Sequence, residues 1–252
     1  MKVWRTLTEW RAARTAPEIA GRSVGFVPTM GALHTGHRAL LARARADNDI
    51  VVMSVFVNPS QFDDPADLAA YPRTLEADLN LANGLVDHVV VPEAAEVYPD
   101  KYEYCVTELN LSRTLEGLHR PGHFDGMLTV VLRLLNLVQP HRAYFGEKDW
   151  QQLKLVEGMV RAFFLPVEII ACATERDPDG LALSSRNRRL SREARAKAAA
   201  FPRYLRSAPS AAAAREALQA SGFAVDYVED HHGRRLGAVR LERVRLIDNV
   251  AL

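Results

Sequence analysis

His34 and His37 stand three residues apart in the stretch Pro28-Thr29-Met30-Gly31-Ala32-Leu33-His34-Thr35-Gly36-His37. That spacing sets both imidazoles on one face of a first helical turn. The apolar run Val24-Gly25-Phe26-Val27 precedes them and Leu40, Leu41 and Ala44 follow at helical spacing, so the segment reads as strand, glycine-bearing turn and helix start. A helix start presents unpaired N–H groups and the positive end of the helix dipole, a seat for phosphate. Gly31 and Gly36 allow close backbone approach at that seat. The chemistry implied is that of a nucleoside triphosphate. A zinc pair is disfavoured, because no third or fourth ligand stands at metal spacing nearby.

Such residues need a scaffold, and the composition describes one. The chain has 252 residues, 48% of them hydrophobic and 25% charged, with a net charge of +1. This is the balance of a globular protein with a substantial core. A charge so near zero gives no field that would recruit nucleic acid or an anionic membrane. No apolar stretch is long enough to span a bilayer, and Trp4, Arg5, Glu9 and Arg11 break any signal-peptide pattern. Cys105 and Cys172 form no C-x-x-C pair; both read as buried strand thiols, and a reducing cytoplasm is the expected location.

From Val24 to Ile170, short apolar runs alternate with amphipathic stretches. Ile50–Val57, His88–Val91, Ala143–Phe145 and Val167–Ala171 read as strands. Leu68, Leu75, Leu79 and Ala82 recur at helical spacing, as do Val130, Val131, Leu134, Leu135 and Val138, and then Leu153, Val156, Val160 and Phe163. The alternation predicts an α/β fold, a doubly wound parallel sheet with helices on both faces, whose ligands bind at the carboxyl ends of strands. His34, Asn58 and Lys148 all fall at such ends. After about Asn187 the texture changes to alanine- and arginine-rich helices over Ser191–Leu205 and Ala211–Ala220, then β-like runs over Ala224–Glu229 and Ala238–Ile247. The expected organisation is a catalytic domain over 1–186 and a smaller α+β C-terminal domain over 187–252.

Four more clusters lie at predicted strand or helix ends: Asn58-Pro59-Ser60-Gln61-Phe62, Arg120-Pro121-Gly122-His123-Phe124-Asp125-Gly126, Gly146-Glu147-Lys148-Asp149-Trp150-Gln151-Gln152, and Leu183-Ser184-Ser185-Arg186-Asn187. Only five of the 32 basic residues are lysine, so Lys148 hints at a need for a compact ammonium rather than a planar guanidinium.

In this order, from about Val24 to Asn187, these motifs resemble the pantoate–β-alanine ligase (pantothenate synthetase) family of the H-x-G-H nucleotidyltransferase superfamily, whose fold is Rossmann-like. Tyr71-Pro72-Arg73-Thr74, Val225-Asp226-Tyr227-Val228 and Arg245-Leu246-Ile247-Asp248-Asn249 extend the likeness. The resemblance implies that ATP and (R)-pantoate form pantoyl adenylate and pyrophosphate with Mg²⁺, after which β-alanine displaces AMP to give pantothenate. It implies a homodimer, with small-molecule substrates and neither nucleic-acid nor membrane partners.

The resemblance also assigns roles. His34, His37, Lys148, Ser184, Ser185 and Arg186 are the implied catalytic set, stabilising charge on the phosphates. Met30, Gly31, Gly146, Glu147, Asp149, Glu175 and Leu183 join them around ATP. Asn58, Gln61 and Gln152, with Arg120 and His123, are the implied substrate contacts; neutral amides orient a carboxylate nucleophile without quenching it. Asp78 matches an acidic position near the metal. Leu183 stands where the family usually has methionine, Glu175 where a small apolar residue near adenine is usual, and Arg133 where a lysine is common, on a face expected to be exposed. Residues 201–210 look trimmed.

Three other activities share part of the pattern. Nucleotidyl transfer to a phosphate acceptor uses the histidines but gives no reason for Asn58, Gln61 and Gln152 together. tRNA charging conflicts with the near-zero charge and the lack of a basic RNA-binding domain. A non-catalytic nucleotide sensor fits Glu175 but not the full set of catalytic-type residues.

Overall fold

The computed structural model describes all 252 residues. Its strands are β1 (Lys2–Trp4), β2 (Val24–Thr29), β3 (Ile50–Val55), β4 (His88–Val90), β5 (Arg142–Gly146), β6 (Glu168–Cys172), β7 (Ala224–His231), β8 (Arg234–Leu241) and β9 (Val244–Ala251). The helices are α1 (Leu7–Arg14), α2 (Thr35–Asp47), α3 (Pro65–Ala69), α4 (Leu75–Ala82), α5 (Ala94–Val97), α6 (Glu116–His119), α7 (His123–Val138), α8 (Trp150–Ala162), α9 (Arg192–Ala198), α10 (Ala200–Ser207) and α11 (Ala211–Ala220). None is long and apolar enough to cross a membrane.

Two compact units divide the chain. The first comprises Met1–Leu33, His37–Gly146 and Gln151–Cys172; the second comprises His34–Gly36, Glu147–Trp150 and Ala173–Leu252. The division falls at Cys172/Ala173, ahead of the 186/187 boundary suggested by composition. The reason is physical: Leu181 packs in the core of the second unit, and Arg176 pairs with Asp248 of β9 at 2.7 Å.

In the first unit, the strands form a six-stranded sheet in the order β1-β4-β3-β2-β5-β6, every pairing parallel. Alternate residues feed opposite faces, as the pleat requires. Val24, Phe26, Ile50, Val52, Ala143 and Phe145 pack with Trp10 of α1, the long apolar stripe of α7, and Leu153 and Val156 of α8. Val27, Val51, Met53 and Tyr144 pack with Leu41 and Ala44 of α2 and Ala82 of α4. Covered on both sides, the central strands read as unbroken apolar runs. The strand order reverses between β2 and β5, and the β2–β5 ladder pairs only Gly25 and Phe26 with Arg142 and Ala143. A ligand crevice is expected at such a reversal.

The second unit holds a three-stranded antiparallel sheet, β7-β8-β9, whose Val228, Val239, Leu241, Val244, Leu246 and Val250 pack with Phe201 and Leu205 of α10 and Ala214 and Leu218 of α11.

Several local expectations are corrected. The run expected as one strand over Ala238–Ile247 is parts of β8 and β9, turned at Glu242, which takes φ +53°. The stretch Ser191–Leu205 is two helices, and Leu68 and Leu75 likewise lie on separate ones. Cys105 is an exposed loop residue rather than a buried strand thiol, while Cys172 ends β6 half-buried. Arg133 is not on an open face: it pairs with Asp100 and donates to the carbonyls of Val97 and Tyr104.

Candidate active site

The turn after β2 is built around a carboxylate. Gly31 takes φ +77° and Ala32 φ +51°, consecutive left-handed residues that aim successive amides at one point. Asp78 of α4 occupies that point. Its carboxylate accepts from Ala32 N at 3.1 Å and Leu33 N at 2.8 Å, with the Thr74 hydroxyl at 3.2 Å. The Gly31 amide donates to Thr29 Oγ1, whose own proton goes to Ser54 O. A Cβ on Gly31 would lie 2.9 Å from Asp78 Oδ2, so the position requires glycine for space as well as for φ. The Ala32 and Leu33 amides, ahead of α2, are therefore satisfied from within the protein.

The same geometry bears on a metal. Asp78 is 2% exposed, each of its oxygens accepts one amide, and the chain has no cluster of three or more His, Cys, Asp or Glu side chains placed for a metal ion. Asp78 thus has a structural role in this turn.

Also in the first unit, Asn58 and Gln61 follow β3. Asn58, 1% exposed, donates to Gln61 Oε1 at 2.9 Å and Gly126 O at 3.2 Å, and its own oxygen accepts from the Tyr98 hydroxyl at 2.6 Å. With its amide so engaged, Asn58 orients Gln61 and leaves Gln61 Nε2 as the donor end. His123 holds the Gln61 backbone: its Nδ1 lies 2.8 Å from Gln61 O, and its Nε2 lies 3.1 Å from Arg120 Nη1. An arginine only donates and a carbonyl only accepts, so this imidazole is neutral with its proton on Nδ1. Burial, reinforced by Arg120, lowers its pKa to about 4. Arg120 also pairs with Asp63 at 3.2 Å. Close packing completes the clamp, since a Cβ on Gly126 would lie 2.2 Å from Ser60 O. Gln151 is structural, bonded to Glu116 N, Leu111 O and Thr114 O, whereas Gln152 is half-buried on the next position of α8. His37 in α2, Met30 and Gly146 are half-buried as well.

The second unit gathers the other residues. Gly36 N donates to His34 Nδ1 at 3.2 Å, which makes Nδ1 the acceptor and Nε2 the protonated, donor end. Burial, then the charges of Lys148 and Arg188, lowers the His34 pKa to about 4, against a smaller opposing effect of Asp149. His34 is thus an uncharged donor beside a fixed ammonium. Lys148 Nζ lies 3.7 Å from Asp149 Oδ1. A Cβ on Gly36 would meet the His34 ring at 2.9 Å and Leu183 Cβ at 3.7 Å, so Leu183 belongs to this neighbourhood.

Two devices hold these segments. The Glu147–Asp149 3-10 turn is clamped by Asn249 of β9, which donates to Glu147 O at 2.9 Å and Lys148 O at 3.0 Å while accepting from Arg234 Nε at 2.7 Å. Trp150 packs on His231 and His232, ring centroids 5.8 and 6.2 Å away. The segment from the exposed Glu175 to Leu183 is a tight hairpin, joined by the Leu183 N to Glu175 O bond and pinned by Arg195 on Asp177 and Asp179. It delivers Ser184, whose hydroxyl accepts the Arg186 amide and caps the 3-10 turn Ser185–Arg189.

The structure therefore brings His34, Lys148, Asp149 and Leu183 together in one unit, and Asn58, Gln61, Arg120 and His123 together in the other. Asn249, Arg234 and Tyr98 hold these residues through hydrogen bonds that sequence reasoning missed. The RLIDN motif was a partial signal for Asn249; Tyr98 gave none.

The family model described as pantoate-beta-alanine ligase matches residues 2–251. A pantothenate synthetase of Bdellovibrio bacteriovorus is 51% identical over 252 residues, covering 100% of this chain and 99% of that protein. One from Legionella pneumophila is 47% identical over 256 residues, with 100% of each covered. Among solved structures, the pantoate-beta-alanine ligase of Francisella tularensis, complexed with beta-gamma ATP and beta-alanine, superposes with a TM-score of 0.94 at 38% identity, covering 100% of this chain and 97% of that one. The pantothenate synthetase of Thermus thermophilus gives 0.91 at 45% identity, covering 100% and 99%.

Proposed function

The chain belongs to the pantoate–β-alanine ligase family, and we propose that its residues carry out that ligation as follows. A pantoate carboxylate oxygen attacks the α-phosphorus of ATP; the new P–O bond forms as the bond to the α–β bridging oxygen breaks, and pyrophosphate leaves. The amine of β-alanine, once deprotonated, attacks the acyl carbon of the adenylate, and AMP departs with the electrons of the acyl C–O bond.

The observation that carries the assignment of roles is the state of His34. Its Nδ1 is tied to Gly36 N, so Nε2–H donates to phosphate oxygen without losing a proton, next to the Lys148 ammonium. A preorganised donor and a fixed charge stabilise the phosphoryl transition state without general acid chemistry. His37, Ser184, Ser185 and Arg186 join them on the phosphates; Met30, Gly31, Gly146, Glu147, Asp149, Glu175 and Leu183 border the nucleotide. Gln61 and Gln152 meet pantoate, and Asn58, Arg120 and His123 act by fixing Gln61. Pantoate is ionised at neutral pH, so the first step needs positioning and electrostatics rather than a base. For the second step, hydrogen bonds on both ring nitrogens of His123 argue against it as the acceptor of the β-alanine proton. Mg²⁺ is part of the family chemistry and would sit near Asp78, the acidic position implied for it; no step above passes through it. A homodimer in the cytoplasm completes the proposal and rests on the family alone.

The test is ATP–pyrophosphate exchange with and without pantoate. Exchange should require pantoate, and AMP and pantothenate should accumulate once β-alanine is added. Exchange that proceeds equally without pantoate rejects the substrate assignment.

A further inference from the structure

Behind Asn58 lies a buried aromatic residue that the reaction scheme does not use. Tyr98 is 3% exposed and its hydroxyl donates to Asn58 Oδ1 at 2.6 Å. Burial pushes its pKa up to about 12, so it keeps its proton. Ser60 Oγ lies 3.0 Å from both Asn58 Oδ1 and the Tyr98 oxygen and supplies a second donor to this group.

The ring is fixed on two sides. Tyr102 stacks on it at a centroid distance of 4.0 Å, and the Arg133 guanidinium carbon sits 4.7 Å from the ring centre. Arg133 is itself anchored by two bonds to Asp100, at 2.6 and 2.8 Å, and one to Val97 O at 2.8 Å. Tyr102 reaches its place through a turn in which Lys101 and Tyr102 both take positive φ, +52° and +67°, a conformation disfavoured for side chains of this size. The loop accepts local strain to keep the stack.

An amide can bond in two orientations, and only its partners decide which. The Gly126 carbonyl only accepts, so it draws Asn58 Nδ2 to its side, and the Tyr98 and Ser60 hydroxyls hold Oδ1 on the other; Nδ2 also occupies Gln61 Oε1, which leaves Gln61 its NH₂ as the donor group. We propose that Tyr98, held by Tyr102 and Arg133, is a positioning residue that, opposite the Gly126 carbonyl, locks the orientation of the Asn58–Gln61 pair, so that Gln61 meets the substrate as a donor. A donor suits a carboxylate or hydroxyl oxygen and not an ammonium. This deepens, and rests on, the assignment of Gln61 to pantoate.

The experiment measures pantoate and ATP KM in the exchange assay for Tyr98→Phe, which keeps the ring and its stack. A net hydrogen bond is worth a few-fold to about ten-fold in affinity. Pantoate KM should rise about three- to ten-fold with ATP KM and the thermal midpoint close to wild type. Ser60→Ala, which removes the other hydroxyl from the same acceptor, should move pantoate KM in the same direction and serves if the first variant does not fold. Tyr102→Phe, which removes a hydroxyl outside the relay, should leave both KM values unchanged. Unchanged pantoate KM in Tyr98→Phe, or an equal rise in both KM values, overturns the relay. Wild-type exchange indifferent to pantoate overturns the functional reading and the relay together; pantoate-dependent exchange with an unaffected Tyr98→Phe overturns the relay alone.

Discussion

The amide nitrogen of Asn249 lies 3.0 Å from the carbonyl oxygen of Lys148, and its second hydrogen reaches the carbonyl of Glu147. The last strand of the second unit thereby sets the turn that carries the lysine. Asn249→Ala leaves two carbonyls and the Arg234 guanidinium without this partner. The expected loss is about 1–3 kcal/mol, read as slower single-turnover adenylation with pantoate KM unchanged.

Lys148→Ala and His34→Ala remove the charge and the donor assigned to the phosphates. Each should raise the adenylation barrier by at least about 2.7 kcal/mol, the loss typical of one key electrostatic donor. Near-normal single-turnover adenylation in either variant contradicts its role.

Asp78→Asn separates a loop clamp from a cation ligand. The amide retains one oxygen for the Ala32 and Leu33 amides but loses the charge, so stability should fall by about 1–3 kcal/mol. The magnesium concentration giving half-maximal exchange should stay at the wild-type value. A ten-fold rise would make Asp78 a ligand after all.

Acid should weaken the fold through two imidazoles. His34 and His123 are held neutral down to about pH 4, each chiefly by burial, whereas an unfolded histidine protonates near 6.5. Between these values the unfolded chain binds more protons, so stability is full above the unfolded pKa and falls as pH drops toward 4. The share of His123 is on the order of 3 kcal/mol. Thermal midpoints of wild type and His123→Asn, followed from pH 7 to 4.5, should converge as the pH falls.

Gly126→Ala places a Cβ 2.2 Å from Ser60 O and 2.8 Å from Gln61 N, backbone atoms that cannot swing aside. Helix α7 must withdraw from the Asn58–Gln61 segment, costing about 1–3 kcal/mol. Pantoate KM should rise more than ATP KM.

The parallel strands were legible because burial on both faces leaves an unbroken apolar run. The missed elements lacked such marks. Strand β1 is three residues long and mostly exposed, and the β8–β9 turn uses Glu242 and Arg243, with none of the glycine, asparagine or aspartate that usually betrays a hairpin. At the candidate site, residue types suggested the chemistry, as His34, Lys148 and Gln61 illustrate. Which groups are already engaged was not readable. Asp78 reads as an open carboxylate and Asn58 as an open amide until their partners are known, and those partners lie 40 or more residues away in Leu33 and Tyr98. Saturation of a polar group is a property of the folded chain.

The carboxylate in the Gly31–Leu33 turn has one more consequence. A loop with open amides takes its shape only when an anion arrives, and the ordering is deducted from affinity. Here an internal counter-ion already satisfies the loop's amides, so its shape does not wait for a ligand. Hydrogen exchange at the Ala32 and Leu33 amides should be equally slow in the empty and the ATP-bound protein.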